Sequence, residues 1–153
     1  MNKTINRLKL TFEELQIYEI NDILNIESEQ NISILTQKII LDEFKSNTSK
    51  YYVVKYNSEI IGYINISILV DNVDINSIVV KKDYQRNGIA TYMLENIFNK
   101  CKDLNINKIL LEVRKSNIIA QNLYQKLGFK KIYTRKKYYP DNLEDAYIYR
   151  KLI

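Results

Sequence analysis

The chain has 153 residues, 46% of them hydrophobic and 27% charged, with a net charge of +5, no histidine, one cysteine and no tryptophan. These totals suit one soluble domain and exclude imidazole-based triads and His-ligated zinc, Cys-rich metal sites and an intramolecular disulfide. Acid–base chemistry therefore falls to Asp, Glu, Lys or the 13 tyrosines.

Residues 4–10 alternate in polarity and predict a short strand. Thr11 stands three residues before Glu14, a capping-box spacing that predicts a helix from there. Phe12, Leu15, Tyr18, Ile23 and Ile26 would be its apolar stripe. A second helix is predicted over 33–45. Three β-rich runs follow, at 51–56, 60–69 and 73–80, separated by the turn signals Asn57-Ser58-Glu59 and Asp71-Asn72. Connections this short cannot cross over, so the three runs form an antiparallel meander. The pattern then changes to a polar loop at 81–87 and a helix at 88–103 through Ile89, Met93, Leu94 and Ile97. A strand at 107–113 comes next, then a helix opened by Asn117 and closed by Gly128. Two closing strands, 129–139 and 146–152, turn at Tyr138-Tyr139-Pro140-Asp141.

A strand–helix–strand crossover inside an antiparallel set predicts a mixed α/β sheet with one parallel pair and helices on its faces. No linker or repeat divides the chain, so residues 1–153 are expected to be one domain. Apolar runs such as Ile60–Ile68 are too short to span a bilayer. The N-terminus lacks a signal-peptide apolar core. The expected compartment is the cytoplasm, with no membrane partner. Cys101 reads as a packing residue.

The segment Gln85-Arg86-Asn87-Gly88-Ile89-Ala90 joins a predicted strand to a predicted helix. Its small residues let a ligand approach the backbone, and the unpaired N–H groups and dipole of a helix start attract anions. Lys81, Lys82 and Arg86 add positive charge nearby, and a diphosphate is the natural guest. An ordinary strand–helix turn with solvated cations explains the segment equally well. It is neither a P-loop nor a dinucleotide fingerprint.

The rest of the chain adds to that pattern. Gln85-Arg86-Asn87-Gly88-Ile89-Ala90 resembles the acetyl-CoA pyrophosphate loop of the GCN5-related N-acetyltransferases (GNATs). Leu111–Asn117, Ala120, Leu123-Tyr124 and Leu127-Gly128-Phe129 resemble the strand, loop and helix that follow it in that family. Tyr138-Tyr139-Pro140 with Glu144-Asp145-Ala146 is similar to the RimI branch, which acetylates the N-terminal alanine of a small-subunit ribosomal protein. The likeness covers about residues 52–153. It departs at Gln30-Asn31-Ile32-Ser33, where RimI-type chains carry a Pro-Trp pair, and at Ser77-Ile78-Val79-Val80.

The resemblance implies a GNAT fold and acetyl-CoA as cosubstrate, with no metal. Transfer would go directly to the N-terminal α-amine, expected to be alanine, of a ribosomal small-subunit protein. The alternative acceptors are a small-molecule amine or a lysine side chain. Glu112, which interrupts the apolar run around Ile109–Val113, is the candidate general base. A carboxylate buried there would be costly unless paired or solvated, and a structural pair with Arg114 is the plain alternative. The family match points to Tyr124 as general acid, since a phenol of pKa about 10 is protonated at neutral pH. Asn117 would cap its helix and contact the pantetheine arm. Backbone groups of Ile78, Val79 and Val80 would pair with that arm like an added strand. Tyr138 and Tyr139 would wall the acceptor site. Asp141, Glu144 and Asp145 would either favour a basic peptide or be a solvated turn. Lys and Arg are spread along the chain, so no direct nucleic-acid binding is expected.

Overall fold

The computed structural model describes residues 3–153. Strands rich in Val, Ile and Tyr build the middle of the sheet. β2 (Ser49–Tyr56), β3 (Glu59–Ile68) and β4 (Val73–Val80) form the expected antiparallel meander. β1 (Leu10–Glu14) adds antiparallel to β2, and β5 (Lys108–Arg114) adds parallel to β4. β6 (Lys130–Arg135) and β7 (Ala146–Leu152) complete a seven-stranded sheet of order β1-β2-β3-β4-β5-β7-β6. The parallel step exists because a helix carries the chain from β4 to β5.

Helices α1 (Ile20–Glu29) and α2 (Gln37–Phe44) cover one face of the sheet. Ile20, Ile23, Ile26 and Ile40 pack there against Tyr51, Val53, Tyr63 and Val79. Helices α3 (Ile89–Asp103) and α4 (Ile118–Lys126) cover the other. Met93, Leu94, Ile97 and Tyr124 pack there against Val54, Ile64, Ile109 and Leu111. Adjacent residues of one strand, such as Val53 and Val54, enter opposite cores, as pleating requires.

The N-terminal reading needs correction. Residues 7–9 form a 3-10 turn, and the strand lies at Leu10–Glu14, where a helix was expected. Thr11 does not cap a helix; its hydroxyl donates to Glu13 Oε1 at 3.1 Å. The working capping pair is Gln16 with Glu19, whose Oε2 accepts the Gln16 N–H at 3.0 Å. The second helix starts later than predicted, at Gln37, with Thr36 accepting the Ile39 N–H. β6 ends at Arg135, which leaves 136–145 as an irregular loop.

One irregularity shapes the whole centre. The β3–β4 register pairs Asn65 with Ser77 but Ile66 with Ile75, so Asn76 is an extra, bulged residue. β4 pairs with β5 only at Val73, Asp74 and Ile75. β5 continues beside β7 to Arg114, and β4 continues beside β3 to Val80. The two middle strands therefore part beyond Ile75 and Leu111. An unpaired buried backbone group costs about 1–3 kcal/mol, so an opening in mid-sheet is a place where a guest's polar groups are wanted.

Candidate active site

The opening between β4 and β5 has a defined chemistry. Lys81 N–H donates to Ile61 O at 2.7 Å, which fixes the parity of the ladder. Ser77 and Val79 thus turn their backbone groups to β3, and Ile78 and Val80 turn theirs to the opening. Ile78 and Val80 are the residues able to pair with an extended guest there; Val79 is not. The Val80 carbonyl already accepts from Gln30 Nε2 at 2.9 Å and Gln85 Nε2 at 3.1 Å.

The loop after β4 leads into α3. Gly88 is the N-cap residue, with a φ of 73°, a left-handed conformation that favours glycine. Arg86, exposed, also has a positive φ of 62°. Asn87 braces the loop: its Nδ2 donates to the carbonyls of Lys3 at 2.7 Å and Tyr84 at 3.1 Å. Ile89 is buried beneath the helix, and Ala90 follows in the first turn. The first-turn N–H groups of α3 thus face outward beside Gly88. Lys82 and Arg86 are exposed beside it. Lys81 does not contribute charge to the loop, because Glu59 binds it at 2.8 Å.

Glu112 is not buried, contrary to the expectation from its apolar flanks. Ile109, Leu111 and Val113 enter the core under α3 and α4, whereas Leu110 and Glu112 face the other side. Helices α1 and α2 do not extend over that part of the sheet, so Glu112 lines an open cavity of about 300 Å³ with Asp74, Asn76, Arg135 and Tyr138. Its ion-pair partner is Arg135, at 3.1 Å, and not Arg114.

Tyr124 lies on the opposite face, in the core. Asn117 caps its helix by accepting the Ala120 N–H at 3.1 Å. The ring packs edge-on against Phe129 at 5.7 Å and beside Tyr149 at 6.3 Å. Burial, with a smaller contribution from Tyr139, pushes the Tyr124 hydroxyl up to about 12. It stays protonated at any physiological pH and is available as a donor. Burial also raises Tyr139, and the Glu112 carboxylate raises it further. Leu111 and Val113, the neighbours of Glu112 on β5, belong to the core cluster that holds Tyr124.

The aromatic loop is clamped. Tyr139 stacks on the Arg114 guanidinium at 3.9 Å, and Tyr138 meets Tyr139 edge-on at 5.2 Å. Tyr138 lines the cavity while Arg135 lies 5.3 Å from its ring centroid. Of the two readings given to the acidic residues of the loop, the one that turns them to a peptide does not hold, because they are engaged internally. Asp141 and Glu144 bind Arg114, and Glu144 Oε2 accepts the Ser116 N–H at 2.6 Å. Asp145 accepts from Lys136 and from the Lys137 N–H. Cys101 is buried, and burial pushes its thiol up to about 11, which leaves it inert as a nucleophile.

Two residues that line the cavity, and one that anchors a neighbouring loop, escaped the sequence reading. Asp74 and Arg135 enter the cavity through strand pairings that no local pattern reveals. Glu27 is buried on α1 and accepts the Ile34 and Leu35 N–H groups and the Tyr63 hydroxyl, which anchors the α1–α2 loop. A charged residue next to Ile23 and Ile26 on the apolar stripe was its one signal.

The sequence profile of the acetyltransferase (GNAT) family matches residues 17–129. A Bacillus subtilis protein provisionally named a ribosomal protein bS18-alanine N-acetyltransferase is 30% identical over 143 residues, covering 93% of this chain and 95% of its own. The Escherichia coli enzyme of that name is 33% identical over 110 residues, 69% of this chain and 74% of its own. A crystal structure of the ribosomal-protein alanine N-acetyltransferase from the same species superposes with a TM-score of 0.86 at 26% identity, covering 94% of each chain. A GNAT acetyltransferase from Elizabethkingia anophelis, solved with acetyl-CoA bound, shares the fold with a TM-score of 0.76 at 21% identity, covering 95% of this chain and 99% of its own.

Proposed function

Because this chain belongs to the GNAT acetyltransferase family, we propose that it transfers the acetyl group of acetyl-CoA to the N-terminal α-amine of a small-subunit ribosomal protein that begins with alanine. The observation that carries this reading is the parting of β4 and β5, with Glu112 on its open face and Tyr124 at its buried side. The names of the relatives supply the acceptor class.

In this reading the diphosphate of acetyl-CoA lies on Gln85–Ala90 at the start of α3. Its pantetheine amides pair with Ile78 and with the Val80 N–H, and Asn117 borders the arm where α4 begins. A backbone N–H of β4 polarises the thioester carbonyl. The acceptor enters from the other face, between Tyr138 and Glu112.

An α-amine has a pKa of about 7.7–8.0, so most of it arrives as ammonium at neutral pH. Glu112 accepts one proton, directly or through water. The freed nitrogen lone pair then attacks the thioester carbon; the N–C bond forms and the C–S bond breaks. The Tyr124 hydroxyl hydrogen-bonds the departing sulfur and gives it a proton, which the nitrogen's second proton restores. One ammonium and one thioester yield one amide, one thiol and one released proton. No acyl-cysteine is involved, in keeping with the inert Cys101.

An acceptor panel tests the reading. Transfer to a peptide bearing an N-terminal alanine is expected to exceed transfer to spermidine, free amino acids and an N-blocked lysine peptide in kcat/KM. A preference for any of the latter contradicts it.

A further inference from the structure

We propose that Asp74 is the carboxylate that binds the acceptor's ammonium group, holding it beside Glu112 for deprotonation. The inference rests on the reading of this groove as an acceptor site for an amine. It goes beyond that reading by giving the groove a second charged group with a separate task.

Asp74 pairs with Leu110 in the short parallel ladder, one residue before the last paired position and two before the bulge at Asn76. Its side chain shares a face with Leu110 and Glu112, and all three line one cavity. It therefore stands at the point where the strands part. Asp74 is half-buried and accepts a hydrogen bond from Asn72 Nδ2 at 2.6 Å through Oδ1.

Its charge has no counter-ion of its own among the described residues. The cations that influence it are Arg135 and Lys108. Arg135 is bound to Glu112 at 3.1 Å, and Lys108 to Asp71 at 3.4 Å. Burial raises the Asp74 carboxyl above its ordinary range, and the charge of Glu112 raises it further. A desolvated carboxylate in this position is stabilised by an incoming cation. The ammonium of an α-amine is such a cation, and Asp74 Oδ2 is free to receive it.

The two carboxylates then divide the work. Glu112 is held by Arg135 until the acceptor's positive charge enters. Asp74 binds that charge without having to accept a proton. Asp74 is thus a substrate-binding residue, and Glu112 remains the base.

The test uses the full chain and two acceptor peptides of one sequence. One begins with alanine and carries an ammonium at pH 7. The other begins with an aminooxyacetyl group, which is uncharged there. In Asp74→Asn, KM for the alanine peptide is expected to rise about tenfold, the size expected for a lost charge-assisted hydrogen bond. KM for the aminooxy peptide and for acetyl-CoA should stay within about twofold, and Asp74→Glu should restore most of the discrimination. An unchanged alanine-peptide KM in Asp74→Asn overturns the assignment, as does an equal rise for both peptides. If the wild-type chain acetylates no amine at all, the acceptor reading falls and Asp74 falls with it. Thermal unfolding of both variants identifies a folding defect, and if Asp74→Asn does not fold, Asp74→Ser is assayed with the same two peptides and read by the same criteria.

Discussion

Arg135 Nη1 lies 3.1 Å from Glu112 Oε1, although β6 and β5 are separated in the sheet by β7. Ile148, the residue paired with Glu112 on β7, lines the same cavity as Glu112 and Arg135. The Arg135 contact gives a carboxylate in the middle of a sheet a partner and keeps it aimed into the groove. It also means that the base rests paired and must exchange its partner when an acceptor arrives.

Replacing that base should remove turnover and little else. Glu112→Gln keeps the shape of the side chain and loses the proton acceptor. Its kcat is expected to fall by about 10²–10⁴, while the acetyl-CoA Kd from calorimetry changes by less than about twofold. Turnover close to wild type would show that Glu112 is structural.

Tyr124→Phe should slow single-turnover transfer at every pH from 6 to 9. The hydroxyl titrates near 12, so the mutant and wild-type profiles should run parallel over that range. The raised value also has a stability consequence. A Tyr whose pKa goes from 10.0 unfolded to about 12 folded contributes stability below pH 10 and loses it as the pH climbs through 12. The Phe variant should therefore be less sensitive to alkali. Identical alkaline unfolding of the two proteins, with identical transfer rates, would contradict both points.

Much of this was legible in the sequence where the cause is local. Strands 73–80 and 146–152 and helix α3 appear where hydrophobic pattern and turn residues placed them. Asn117 caps α4 as its side-chain chemistry requires. What was not legible depends on distant partners. Thr11 and Glu14 have the spacing of a capping box, but Leu10–Glu14 is claimed by pairing with Tyr52–Tyr56 forty residues on. The exposure of Glu112 follows from where α1 and α2 stop. Asp74 matters only because a bulge at Asn76 lets β4 leave β5.

Gly88→Ala tests the loop at the start of α3. A Cβ at Gly88 would meet nothing closer than Arg7 Nη1 at 3.9 Å. Space is therefore available, and the cost is the backbone's: φ is 73°, a strain of about 1–2 kcal/mol for a side-chain-bearing residue. The variant should unfold at a lower Tm and bind acetyl-CoA more weakly, with the acceptor KM unaltered. Unchanged Tm and unchanged acetyl-CoA affinity would contradict the role given to this turn.

Glu144 ties the aromatic loop to the body of the domain. The Ser116 hydroxyl and N–H, with Arg114 and Asn142, hold its carboxyl down at about 2 against an ordinary 4.5. A depressed carboxyl contributes its tether above pH 4.5 and loses it as the pH falls toward 2. Hydrogen exchange at 138–145 should accelerate over that acid window before the sheet opens. Glu144→Gln should show the faster exchange already at neutral pH, with a raised acceptor KM. Equal protection in both proteins would place the loop's anchor elsewhere.

The most direct test of the account is a single-turnover reaction of the protein, labelled acetyl-CoA and a peptide that begins with alanine and contains an internal lysine, analysed by fragment mass spectrometry. The account predicts one acetyl group on the α-nitrogen, none on the lysine and none on the protein, with the signal lost in Glu112→Gln. Label on the lysine, on Cys101 or on no peptide at all would contradict it.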